Sequence, residues 1–221
     1  MSLAFKKSNL SIKPLMQSFI ADQGFPCVGA KTALAKNQLD HCTAGDIFSD
    51  EHDTEILHGL YDFIKKYQQD GAIFRSFIAL FPDSDLLTEE AFEDGLWQRL
   101  QSLHDLDDQP WDCSVSSDSE DQNFSLSLGG KAFYVIGMHP NSSRKARRFH
   151  VPALVFNLHE QFERLRMDGS YQQMRQIIRR RDKAFSGSVN PMLMDFGTRS
   201  EAIQYSGRSI DGPWKCPFHM N

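Results

Sequence analysis

The sequence predicts an α+β fold: a single domain over residues 1–221, with a central antiparallel or mixed sheet flanked by helices. Three observations carry that expectation. Two β-rich runs, Phe124–Leu128 and Lys131–Ile136, meet at Gly129-Gly130, a composition that suits a two-residue hairpin turn. Apolar residues recur at helical spacing both before and after that hairpin. No regular strand–helix–strand alternation runs through the chain, which argues against a wholly parallel sheet. With 221 residues, 40% of them hydrophobic, and 17 Phe, 5 Tyr and 3 Trp, the chain has enough apolar surface to offset the entropy of ordering it.

Taken in order, Ser8 to Ala21 reads as a short amphipathic lead-in interrupted by Pro14. Gly24-Phe25-Pro26 breaks it, and Val28 to Lys36 reads as a helix. Asp53 or Thr54 can cap a helix running to Gln69, with Ile56, Leu57, Leu60, Phe63, Ile64 and Tyr67 on one face and Gly71 as its stop. Ile73 to Phe81 has the pattern of a buried strand ended by Pro82. Thr88 opens a further helix that aligns Phe92, Leu96, Trp97, Leu100 and Leu103, and an acidic polar loop follows from Asp105 to Asn123. Beyond the hairpin, Val155-Phe156 reads as a short strand, and helices are expected at His159–Met167 and Tyr171–Lys183, divided by Gly169. The tail from Ser186 is rich in Gly, Pro and Ser but carries many polar side chains suited to a binding loop.

The formal charge of −5 hides a segregation. Asp83 to Asp121 holds thirteen acids and one base, whereas Ser143 to Lys183 holds eleven bases and four acids. A basic stretch in an acidic chain calls for an anion nearby or for pairing within the fold. Nucleic acid is not expected as that anion, because aromatic residues are thinly interleaved with the bases and the chain as a whole is acidic. No apolar run approaches the length of a membrane span, and the N-terminus lacks the order of a secretory signal, so a cytoplasmic protein without membrane association is expected. Four cysteines without a C-x-x-C pair make neither a disulfide framework nor a zinc site. The usual dinucleotide, P-loop, nucleophile-elbow and zincin motifs are also missing.

Candidate chemistry gathers in four places. Gly137-Met138-His139-Pro140 puts a histidine at the end of a strand, followed by Ser143 and by Arg144, Arg147 and Arg148, whose spacing suits a cationic ridge on one helical face. Asn157 can cap the helix that begins near His159, holding that imidazole at the positive end of a helix dipole and favouring its neutral form. Cys27 and Cys216 each lie beside a proline, and a thiolate is a soft ligand able to hold haem iron. The segment from Asn190 to Arg208 includes Asp195, Glu201 and Tyr205, and its carboxylates suit a cationic substrate unless they pair with Arg199 and Arg208.

In this order, the stretches Phe25-Pro-Cys-Val-Gly-Ala-Lys31, Gly137-Met-His-Pro with Ser143-Arg144 and Ala146-Arg-Arg-Phe149, Pro152-Ala-Leu-Val-Phe-Asn157 with His159, Asn190-Pro-Met-Leu, Gln204-Tyr-Ser-Gly-Arg208 and Trp214-Lys-Cys-Pro-Phe218 resemble the YqcI/YcgG family. That family includes haem-dependent guanidine N-hydroxylases of guanitoxin-type biosynthesis. The resemblance implies protohaem as cofactor, dioxygen as oxidant, and N-hydroxylation of the guanidino group of arginine or of a related amine. It does not fix the axial ligand: His139 is expected first, with Cys216 and His159 behind it and Cys27 as a pocket residue. It further implies Arg144 and Arg148 against the haem propionates, Asp195, Glu201 and Asn190 around the substrate, and Ser143 or Tyr205 donating to bound oxygen. With no flavin or nicotinamide fingerprint in the chain, reductant is expected from an external electron donor. A haem oxygenase acting on another amine or amino acid, and a haem sensor or carrier, are the competing readings.

Overall fold

The Gly-Gly hairpin lies at one edge of a five-stranded mixed sheet. The computed structural model describes residues 12–188 and 200–220. Its strands are β1 (Leu39–Thr43), β2 (Ser76–Leu80), β3 (Leu126–Leu128), β4 (Lys131–Met138) and β5 (Ala153–Leu158), in the spatial order β1-β2-β5-β4-β3. Only the β1–β2 pairing is parallel, and the other three are antiparallel. The helices are α1 (Ile12–Ala21), α2 (Val28–Ala35), α3 (Asp53–Asp70), α4 (Glu89–Leu106), α5 (His159–Met167) and α6 (Tyr171–Ser186).

Most of these elements follow from local chemistry. Both turn glycines of the hairpin have positive φ, 60° and 71°, the geometry of the turn that matches strand twist. Thr88 caps α4 by accepting a hydrogen bond from the Ala91 N–H at 3.2 Å, and Gly71 ends α3 in the left-handed region at φ 59°. Pro14 does not interrupt α1; it lies in the first turn, where no backbone N–H has an intrahelical partner to lose. Asp53 is not a cap either. It is the first residue of α3, behind His52, and its carboxylate turns inward to Arg99 of α4.

Three features depart from the sequence reading. β1 was not expected, and together with α3 and β2 it forms one parallel strand–helix–strand unit inside an otherwise antiparallel sheet. Val155-Phe156 belongs to a six-residue strand between β2 and β4. Arg144 and Arg148 flank a short 3-10 turn, Lys145–Arg147, that Arg147 ends, and the three side chains diverge to separate partners instead of forming a ridge.

The strand period of two sorts side chains onto the two sheet faces. Phe77, Ala79, Phe133, Val135, Leu154, Phe156 and Leu158 join α3 and α4 in the larger core. Ile78, Leu80, Ile136, Met138, Ala153 and Val155 face α1 and α2 in a smaller one. On the first side packing is close: a Cβ added at Gly137 would come within 2.7 Å of Phe92 and 2.8 Å of Leu96. On the second side the helices stand away from the sheet. Among the described residues no helix is long and apolar enough to cross a membrane.

Candidate functional site

The space between the second face and its helices is a cavity of about 310 Å³. Ile78, Ile136, Met138 and Val155 line it from the sheet, and Met16, Phe19 and Ile20 line it from α1. Phe25, Cys27 and Ala30 come from the turn into α2, and Phe162, Met174 and Ile178 come from α5 and α6. Polar groups are confined to parts of the wall: Ser76, Asn157, His159 and Gln161 on the strand ends and α5, a group of Tyr134, Arg147, Glu201 and Gln204, and the arginines Arg144, Arg166, Arg175 and Arg179 with Tyr171 and Asp182 of α6. A mostly apolar cavity with a few convergent polar groups is the usual form of a small-molecule site.

Four of the residues singled out in the sequence meet in this wall. Cys27 is the N-cap of α2, and its Sγ accepts a hydrogen bond from the Ala30 N–H at 3.4 Å. Burial pushes its thiol pKa up, against the opposing pull of the helix-end N–H groups and of Arg181. His159 opens α5, and burial holds its pKa below the usual value. Arg144 is paired with Asp182 of α6 and also donates to the Ser188 hydroxyl and carbonyl. Glu201 is buried, and its Oε1 accepts hydrogen bonds from Ser125 Oγ at 2.7 Å and Tyr205 Oη at 2.9 Å.

Others lie elsewhere. His139 follows Met138 on β4, so its side chain takes the opposite face; it stacks on Phe92 of α4 with ring centroids 4.4 Å apart. Its Nδ1 is buried without a hydrogen bond, and burial lowers its pKa. Cys216 is buried in the α3/α4 core, where desolvation drives its pKa to about 12. Tyr205 also faces that core, stacked on Trp97. Ser143 is exposed and hydrogen-bonded to Glu89, and Arg148 donates to the carbonyls of Ser142 and Ser143. None of these five lines the cavity. Asn157 does line the cavity, but as a strand residue bonded to Ser76 and to the Tyr134 carbonyl and not as a cap, since Leu158 occupies the N-cap of α5. Asn190 and Asp195 fall outside the described residues.

The sequence reading missed Tyr134, Gln204 and the role of Arg147. Tyr134 donates from Oη to Gln204 Oε1 at 2.9 Å. Arg147 is buried, with Nη1 donating to the carbonyls of Tyr205 and Gly137 at 2.8 and 3.2 Å, and Nη2 to that of Gln204 at 2.9 Å. Its only sequence signal was membership of a basic run, which reads as a solvated surface.

Desolvation raises the Glu201 carboxyl to about pH 7, partly offset by the Ser125 and Tyr205 hydrogen bonds. A carboxyl raised in the folded state favours folding most below its ordinary pKa, and that advantage fades as pH climbs toward 7. Glu201→Gln is therefore expected to change stability little at pH 5 and to gain stability over the parent chain by pH 8. The gain is on the order of 3 kcal/mol at most, read from denaturant melts at both pH values. A parallel pH response in parent and variant rules the assignment out.

A model of the YqcI/YcgG family matches residues 16–219. The uncharacterized proteins YcgG and YqcI of Bacillus subtilis (strain 168) are each 26% identical to the chain, over 88% of it and 80% of their own length. The putative N(omega)-hydroxy-L-arginine synthase DcsA of Streptomyces lavendulae is 28% identical over 91% of this chain and 80% of its own. No solved structure matches. The matched span contains the residues that line the cavity, from Met16 in α1 to Gln204, and the chain belongs to the YqcI/YcgG family.

Proposed function

We propose that this chain is a haem-dependent oxygenase that N-hydroxylates a guanidino group, taking arginine or an arginine-like amine as substrate. The observation that carries the proposal is the cavity: its walls are apolar on two opposed sides, a thiol and an imidazole stand in them, and arginines border them. That donor set suits a flat, apolar, dianionic macrocycle. Among the described residues no three His, Cys, Asp or Glu side chains converge as a metal site. A porphyrin brings four ligands of its own, so one protein side chain is enough. The name of the DcsA relative, whose similarity spans nearly the whole chain, supports the choice of reaction.

Bound haem would supply dioxygen activation, and a thiolate ligand favours O–O cleavage. Cys27 is the residue we assign to hold it, because the thiol lies in the cavity wall at a helix N-terminus, where backbone N–H groups stabilise a thiolate. The sequence reading put His139 first, with Cys216 and His159 behind it, and gave Cys27 only a place in the pocket. Arg175 and Arg179 on α6 provide positive charge for the propionates in place of Arg148. The aliphatic and aromatic walls exclude water and position the substrate. Glu201, a buried carboxyl in the cavity wall, meets a cationic group of the substrate.

The test is reconstitution with protohaem, followed by arginine, dioxygen and reductant. The expected results are a Soret band at one haem per chain and a product heavier by one oxygen. Absence of haem binding overturns the proposal. Haem binding with no hydroxylated product from any guanidine or amine favours a sensor or carrier instead.

A further inference from the structure

The polar group at one part of the cavity wall contains opposite charges that do not neutralise each other. Arg147 is buried, its guanidinium is bonded to three backbone carbonyls, and among the described residues it forms no ion pair, Asp182 acting on it only at longer range. Removing a cation from water without a counter-charge is costly unless an anion arrives. The Tyr134 phenol lies beside it in the same wall.

Glu201 is open in a complementary way. Among the described residues both of its hydrogen bonds go to Oε1 and none to Oε2. Gln204 likewise accepts from Tyr134 through Oε1, and among the described residues its amide NH₂ donates to no other group. These four side chains offer a cation, an amide donor, a hydroxyl and a carboxylate oxygen to one region of the cavity. The set is complementary to one carboxylate and one ammonium held close together.

We infer that Arg147, Gln204, Tyr134 and Glu201 form a subsite for the zwitterionic head of a free α-amino acid. The substrate carboxylate meets Arg147 and the Gln204 amide, and its α-ammonium meets Glu201 Oε2. The inference rests on the proposed function for what is attached to that head: a side chain that carries the reacting guanidino nitrogen away along the apolar walls. The subsite selects an intact amino acid over a decarboxylated amine or a simple alkylguanidine. A site built to pair a ligand charge rejects the analogue that lacks it, because its own buried group is left unpaired.

The experiment is calorimetric titration of the haem-loaded chain with arginine, with agmatine, which lacks the carboxylate, with arginine methyl ester and with Nα-acetylarginine. The three analogues are expected to bind about tenfold or more weaker than arginine. Glu201→Gln preserves side-chain shape and is expected to remove the penalty for Nα-acetylation while keeping that for the missing carboxylate. Agmatine binding as tightly as arginine overturns the subsite, and it leaves the oxygenase reading intact if agmatine is hydroxylated. Binding of non-guanidino α-amino acids, with the same dependence on both charges and without hydroxylation, upholds the subsite and removes the guanidine reading. A Glu201→Gln protein that still discriminates against Nα-acetylarginine overturns the role given to Glu201.

Discussion

Replacing Cys27 by alanine is expected to change the ferrous–CO spectrum of the haem-loaded protein from a thiolate-type to a nitrogen- or oxygen-ligated form. Hydroxylation should fall by at least about a hundredfold, since even residues behind a metal ligand cost 10–100-fold when removed. His139→Ala and Cys216→Ala should both keep the parent spectrum. The contrast follows from position. Cys27 stands in the cavity wall, whereas His139 stacks on Phe92 and Cys216 is packed in the α3/α4 core on the far side of the sheet. Burial raises the Cys27 thiol in the protein alone. A coordinating metal deprotonates a thiol outright, so that shift does not oppose ligation. An unchanged Cys27→Ala spectrum, with the His159→Ala spectrum altered, transfers the ligand to the imidazole at the start of α5.

The largest effect on stability is expected at Asp53. Its carboxylate is paired with Arg99 and accepts a hydrogen bond from Ser102 Oγ, while Arg99 Nε donates to the Ile47 carbonyl at 3.2 Å. Arg99 is 1% exposed and Asp53 4% exposed, so neither has water to fall back on. Asp53→Ala leaves the guanidinium without its counter-charge between α3 and α4, and such losses cost about 3–5 kcal/mol. In a chain of this size that lowers Tm by roughly 10 °C, a shift readable by calorimetry. Ser102→Ala removes one hydrogen bond and should cost only about 1 kcal/mol. A loss below 1 kcal/mol for Asp53→Ala means that the pair is replaceable by relaxation and carries no such role.

Local signals placed much of this molecule. The Gly129-Gly130 turn, the Thr88 cap, the Gly71 stop and the His159–Met167 helix are all found where residue type and spacing put them. β1 escaped because Leu39–Thr43 is short and mixed in character, and its pairing with β2 is a long-range contact with no local signature. Of the candidate site, Cys27, Arg144, His159 and Glu201 were named from sequence and meet in one cavity.

The remaining errors share one cause. On β4 both faces are apolar, Phe133 and Val135 on one and Ile136 and Met138 on the other. Period-two alternation therefore shows that Met138 and His139 point apart, but not which of them faces open space. Arg147 reads as one more member of a basic run until the chain around Gln204 and Tyr205 closes over it and converts a surface charge into a buried cation. Residue order and chemistry were enough for the α+β class, the helix ends and the kinds of group at the site. Which of those groups share a cavity depends on how the helices stand over each sheet face, and that is set by contacts between segments far apart in the chain.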